Sequence, residues 1–240
     1  MRRPANNAAH GVAIRRAGRT AWPMWTFLAL YIVLTAWISL GTGVVTDSQH
    51  ALVKNIGYIG LAAYGVWVFR EALSASLRMT EASPVAWARW VIAGLVLMGI
   101  ASGVSALIAL AVDGPLTSNN QAAIDAEMLA ASSSIRHSLL LLAVGAIFAP
   151  LVEEFVFREI PFARLRPWLS TPIALASSCL CFGALHLRSL DEWPLAILYI
   201  GFSLALAVAY LGSKRNLLVP IAAHALWNGS GLTFVLLSSG

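Results

Sequence analysis

Charge is scarce in this sequence: 11% of its 240 residues are Asp, Glu, Lys or Arg, less than half of the roughly 25% carried by an ordinary soluble domain. So few charges cannot cover a water-exposed globular surface, and a soluble fold is excluded. Cysteine is nearly absent. Cys179 and Cys181 stand two apart inside an apolar stretch, which excludes a disulfide framework. Without a matching second pair they also make a poor thiolate metal site, and they read as small buried hydrophobes. Basic residues outnumber acidic ones, 16 to 11, yet no basic face with interleaved aromatics appears, so a nucleic-acid partner is not expected. No internal repeat is visible, which removes the usual signature of an inverted-repeat transporter.

What the sequence has in abundance is apolar length. Hydrophobic residues make up 59% of it and the mean hydropathy is +0.76. Runs at 24–45, 56–69, 87–112, 138–157, 171–187, 194–211 and 217–237 are read as spans, since about 20 apolar residues cross a hydrocarbon core of about 30 Å. The expected fold is all-α, a polytopic transmembrane helical bundle of about seven spans, with a range of six to eight. Three regions follow: a flexible basic tail at 1–22, N-terminal transmembrane helices serving as scaffold at 23–137, and a catalytic transmembrane core at 138–240. The first run is too long for a signal-peptide core and lacks a small-residue cleavage site, so it is read as uncleaved. Trp22, Trp25, Trp87, Trp90, Trp168 and Trp193 fall near run ends, where amphipathic rings lie at the headgroup level.

With seven spans and a cytoplasmic N-terminus, thirteen of the sixteen Lys and Arg residues fall on the cytoplasmic side; only Lys54, Arg136 and Arg188 do not. This asymmetry follows the positive-inside rule and suits a bacterial inner (cell) membrane. The longest external loop, 113–137, carries Asp113, Asp125 and Glu127 with a Ser-rich end and no motif.

Ionisable groups inside hydrocarbon cost roughly 2.5–3.5 kcal/mol on insertion scales, so they face a bundle interior and serve a function by default. Three groups stand out. The fourth run holds Pro150, Glu153, Glu154, Arg158 and Glu159. Adjacent glutamates on a helix point about 100° apart, while Glu154 and Arg158, four apart, share a face and can pair. One glutamate can then be held by arginine while the other works. Pro150 lacks an N–H, which frees the carbonyl of Ala146 and predicts a kink. The fifth run ends on Phe182 and His186, and the seventh carries His224 and Asn228, each pair one helical turn apart. Together these supply carboxylate bases, imidazoles and an amide donor in a water-poor setting, the means to activate water and hold an oxyanion. The same Glu and His set suits a zinc ion with an open position, and spacing does not choose between them.

The ordered pattern Glu153-Glu154-x-x-x-Arg158, Phe182-x-x-x-His186 and His224-x-x-x-Asn228 resembles the CPBP family (also called ABI), the type II CAAX prenyl endopeptidases and bacteriocin-processing proteins. The likeness covers about residue 139 to the C-terminus. It implies a helical membrane core around a catalytic chamber and endopeptidase activity on a peptide or lipidated-protein substrate. By position, Glu153 and Glu154 would activate the attacking water and Arg158 would organise them. His186, His224 and Asn228 would complete the centre and stabilise the oxyanion, with Phe182 as a packing partner. The resemblance allows a glutamic mechanism with no cofactor, or a zinc enzyme whose ligands would be Glu154, His186 and His224. Two other readings of the same groups are a non-catalytic maturation or immunity factor and a proton-coupled transporter. Upright helices would leave His186 on the order of 20 Å from Glu154 and His224 at about 1.5 Å rise per residue, so tilt, a broken helix or different boundaries must bring it back.

Overall fold

The computed structural model describes residues 5–40 and 46–238; Arg2, Arg3 and the end of the first expected run, 41–45, lie outside them. Helices make up nearly all of the described chain, and no strand occurs among these residues. In chain order they are α1 (Ala5–Leu40), α2 (Asp47–Val68), α3 (Arg70–Ala82), α4 (Pro84–Ala111), α5 (Asn119–Ala131), α6 (Ile135–Ala143), α7 (Ala149–Glu154), α8 (Thr171–His186), α9 (Trp193–Gly212) and α10 (Leu218–Ser238). A π-helical segment, Val144–Phe148, joins α6 to α7, and a second, Phe155–Arg164, continues it. Ile135–Arg164 is thus one long helix, here called the glutamate helix.

Five helices among the described residues are long and apolar enough to cross a membrane: Trp22–Leu40, Ser48–Val68, Pro84–Ala111, Ile135–Arg164 and Trp193–Gly212. The chain is an integral membrane protein. All seven expected runs are helical where described, with corrected bounds. The second begins at Asp47, not 56, because Thr46 and Gln49 close a reciprocal capping box ahead of it. The fourth ends at Arg164 rather than 157, since wide π turns carry the chain past the charged motif. The segment expected to be a flexible tail is helical from Ala5, as its Ala and Arg content favours. The loop 113–137 contains α5, whose N-cap Ser118 hydroxyl accepts from Gln121 N–H.

The chain divides into two compact units, residues 1–70 and 71–240. In the first, α1 and α2 pair. Phe27 packs edge-on against Phe69, and the Tyr64 hydroxyl donates to the Pro23 carbonyl. The second unit holds every motif residue. Its core is an α4–α9–α10 contact built from Val91, Met98, Ala205, Leu206, Ala209, Val219 and Ala223. Lipid tails are as apolar as these side chains, so close van der Waals packing rather than water exclusion holds such helices together.

Small residues make that approach possible. A Cβ on Gly201 would stand 2.7 Å from Ala101 Cβ, and one on Gly94 would stand 3.2 Å from Ala223 Cβ. Gly99, on the same helix as Gly94, has nothing within 4 Å of such a Cβ. Both Gly201→Ala and Gly99→Ala gain up to about 1 kcal/mol of helix propensity, but only the first must push α4 from α9. Gly201→Ala should therefore lose about 1–3 kcal/mol, the usual effect of overpacking, while Gly99→Ala is neutral or stabilising. Thermal unfolding of the two variants in one detergent checks the ordering.

The link from α8 to α9 is organised by Glu192, only 3% exposed. One carboxylate oxygen accepts from Arg188 N–H at 2.8 Å and Ser189 N–H at 3.3 Å, and the other accepts from Asn119 N–H, the first residue of α5. Burial pushes this carboxyl up, but the three amide donors and the Arg188 charge outweigh it and hold Glu192 below its usual range. A depressed folded pKa means the stabilisation is complete above the unfolded value of about 4.3 and is lost as pH falls through the lower folded value. Amide hydrogen exchange at Asn119 and Arg188 should accelerate as the pH is taken below about 4, once corrected for intrinsic rates. Glu192→Gln should remove that dependence. Equal protection in acid and at neutrality would refute the latch.

Candidate active site

Two irregular turns place the glutamates. Within Val144–Phe148 the Ala149 N–H is donated to Val144 O, and Pro150 has no N–H. In this wider register position 150 would serve Gly145 O, where an α-helical reading gives Ala146 O, and Pro150 has no N–H to offer it. Asn228 of α10 supplies the missing donor, its Nδ2 lying 3.1 Å from Gly145 O. Gly145 also allows the approach, since a Cβ there would meet Leu232 at 2.6 Å. One Asn228 N–H is thus occupied in joining α10 to the glutamate helix, and the amide keeps a second.

Glu153 and Glu154 follow one turn later, well inside the helix and 7% and 0% exposed. They are not solvated at a helix end. Glu154 Oε1 accepts from His224 Nδ1 at 2.8 Å, and its Oε2 lies 3.2 Å from Arg158 Nε. Since a carboxylate only accepts, Nδ1 is the protonated nitrogen of His224, and Nε2 turns to Glu153, 3.8 Å away and beyond hydrogen-bond reach. The predicted Glu154–Arg158 pairing therefore forms, and the two glutamates have different surroundings.

Arg158 is fully buried. Its Nη2 donates to Ser203 O at 3.2 Å, its Nη1 lies 3.5 Å from Ser178 Oγ, and its guanidinium sits 5.7 Å from the Phe182 ring centroid. Ser178 in turn donates to Phe157 O at 2.7 Å. Sequence reasoning passed over Ser178 and Ser203. Their signal was a hydroxyl within an apolar helix, which commonly marks an interhelical hydrogen bond.

His186 joins this layer. The Phe182 ring stacks on His186 at 4.2 Å and lies 6.0 Å from the His224 ring, so the separation of about 20 Å that upright helices would leave does not occur. The glutamate helix runs on to Arg164 rather than ending at 157, so the chain travels further past Glu153 before α8 returns, and His186 closes α8 beside the Phe182 and His224 rings. His186 Nδ1 lies 2.7 Å from Phe182 O; a carbonyl only accepts, so in the neutral ring Nδ1 carries the hydrogen and Nε2 the lone pair.

The proposed zinc shell does not form. Among the described residues no three His, Cys, Asp or Glu side chains gather as ligands. Moreover, Glu154 is engaged by His224 and Arg158, and His224 Nδ1 by Glu154. The arrangement does not fit Glu154, His186 and His224 as a ligand set.

Comparison with known proteins falls on this region. Residues 135–230 match the family described as type II CAAX prenyl endopeptidase Rce1-like. The matched segment holds all three motifs, and the family is the one they pointed to. The chain is 33% identical over 99 residues to the membrane-embedded CAAX protease MroQ of Staphylococcus aureus (strain USA300), covering 39% of this chain and 38% of that protein. It is 29% identical over 150 residues to the putative membrane peptidase YdiL of Bacillus subtilis (strain 168), covering 62% of this chain and 54% of that one. The matched segments thus span about half or less of these curated relatives. No solved structure matches. The segment matching the family begins where the glutamate helix begins, so α1–α5 lie outside it.

Proposed function

We propose that this protein is an intramembrane endopeptidase that hydrolyses peptide bonds with water activated by Glu153. The observation that carries the reading is the unequal treatment of the two buried glutamates: Glu154 accepts a hydrogen bond from His224 on Oε1 and is ion-paired with Arg158 through Oε2 at 3.2 Å, while Glu153 is 3.8 Å from His224 Nε2 and makes no bond to it. Glu153 is the carboxylate free to take a proton. A water held by Glu153 and the His186 Nε2 lone pair gives a proton to Glu153 as its oxygen attacks the scissile carbonyl. The second Asn228 N–H is the donor for the developing oxyanion. The proton on Glu153 then passes to the leaving nitrogen as the C–N bond breaks. Low local dielectric strengthens each of these contacts.

The substrate class follows the family and its relatives' names: a peptide segment, with or without a prenyl group on a nearby cysteine. We place the protein in a bacterial cell membrane with its N-terminus in the cytoplasm, on the distribution of its basic residues. The test is cleavage of a fluorogenic peptide panel, prenylated and unprenylated, by the detergent-purified chain with and without a strong chelator. Cleavage that survives chelation and requires Glu153 supports the reading; cleavage abolished by chelation and restored by zinc overturns the glutamic mechanism.

A further inference from the structure

His186 closes α8, and the next residue, Leu187, is extended. A side chain at a helix end has little of its own helix to confine it. Its bond to Phe182 O fixes one ring nitrogen but leaves the ring free to tilt about that contact. Two aromatic rings restrict this motion: Phe182 at 4.2 Å and 24°, and Tyr199 of α9 at 4.7 Å and 27°. Tyr199 is 7% exposed, and its hydroxyl is 2.6 Å from the hydroxyl of Ser118, itself 2% exposed. Ser118 is the N-cap of α5, and the same helix start is held by Glu192 through Asn119 N–H. A continuous series therefore runs from Arg158 through Phe182, His186 and Tyr199 to the N-cap of α5.

We propose that Tyr199 is a positioning residue: its ring, pinned through its hydroxyl to Ser118, completes the stack that aims His186 Nε2 at the water beside Glu153. The role rests on the hydrolytic reading above. No motif contains Tyr199 or Ser118, and Ser118 lies outside the segment matching the family. A segment N-terminal to the catalytic core thus sets the position of a group within it. The stack is the larger effect and the hydroxyl the smaller, because Phe at this position keeps the ring and loses only the anchor.

Three single variants test this on the full chain in detergent: Tyr199→Leu, Tyr199→Phe and Ser118→Ala. With the stack gone, kcat for the fluorogenic peptide should fall about 100-fold, the effect of displacing a reacting group by about 1 Å, with KM within about twofold. Tyr199→Phe and Ser118→Ala should each lower kcat only a few-fold, and their double variant should lose less than the product of the two effects, since the singles share the Tyr199–Ser118 bond while Ser118→Ala also removes the cap on Gln121 N–H. A second readout needs no turnover: carbethoxylation of His186 by diethyl pyrocarbonate, followed by peptide mass spectrometry with His224 as internal control. Tyr199→Leu should speed modification of His186 alone, and Tyr199→Phe should not. Unchanged kcat in Tyr199→Leu, a rise in KM alone, or an unaltered His186 modification rate overturns the proposal. Should the wild-type chain cleave no peptide in the panel, the modification rates alone decide whether Tyr199 holds the ring, and the failure then belongs to the hydrolytic reading.

Discussion

Glu153→Gln is expected to lower kcat for the cleaved peptide by about 10²–10⁴-fold, the range supplied by a positioned general base, while leaving the fold intact. Gln is nearly isosteric with Glu and cannot accept the proton of an attacking water. In the native site Glu153 makes no hydrogen bond to His224, whose Nε2 stands 3.8 Å away, so the amide replaces no bond on which the structure depends. Stability should therefore stay within about 0.5–1 kcal/mol of wild type, as for changes that touch no stabilising contact.

The neighbouring substitution should behave differently. Glu154→Gln removes the charge facing Arg158 Nε at 3.2 Å and weakens the 2.8 Å bond to His224 Nδ1. It strands a fully buried guanidinium, so activity and stability should fall together, the latter by about 3–5 kcal/mol as when one partner of a buried pair is removed. Turnover and thermal unfolding measured on both variants in one detergent separate the two roles. A Glu153→Gln protein retaining more than about a tenth of wild-type kcat would be incompatible with general-base catalysis at this position. If it unfolded as readily as Glu154→Gln, the distinction between a working and an orienting glutamate would be wrong.

The helices were legible in the sequence because hydrocarbon demands long apolar runs, and Ile135–Arg164 or Trp193–Gly212 are hard to read otherwise. The Glu154–Arg158 pairing was legible for a similar reason: a four-residue spacing on a helix fixes which side chains share a face. What escaped was set by departures from that period. The π turns at Val144–Phe148 and Phe155–Arg164 moved the carbonyl that Pro150 cannot serve to Gly145 and lengthened the glutamate helix beyond Glu153. No apolar pattern marks a π turn when the helix is hydrophobic on most sides. Helix α5 was missed because its mixed composition, with Asn119, Asn120, Asp125 and Glu127 beside alanines, reads as an external loop. Ser118, Ser178, Tyr199 and Ser203 share a different reason. Each acts through a contact with an element remote in sequence, and a hydroxyl or ring does not name its partner.

The socket around Arg158 predicts the largest loss of stability in the protein. Its side chain is fully buried, faces Glu154, donates to Ser203 O and rests over the Phe182 ring. Arg158→Ala leaves Glu154 as an uncompensated anion in a dry interior and opens a cavity the size of a long side chain, a cost of about 3–5 kcal/mol from the charge alone. Lysine should not rescue it, since an ammonium cannot serve Glu154 and the Ser203 carbonyl from one planar fork. The informative companion is the double variant Arg158→Met with Glu154→Leu. Replacing both members of a buried pair by apolar groups of similar volume is often neutral or stabilising, so much of the lost stability should return. Catalysis should not, because His224 then has no carboxylate to hold its Nδ1–H. Thermal unfolding together with peptide cleavage distinguishes the cases: recovered stability with absent turnover is the expected result. Arg158→Ala unfolding at the wild-type temperature would mean that Glu154 is not charged in the folded protein, and the geometry of the pair would need a different explanation.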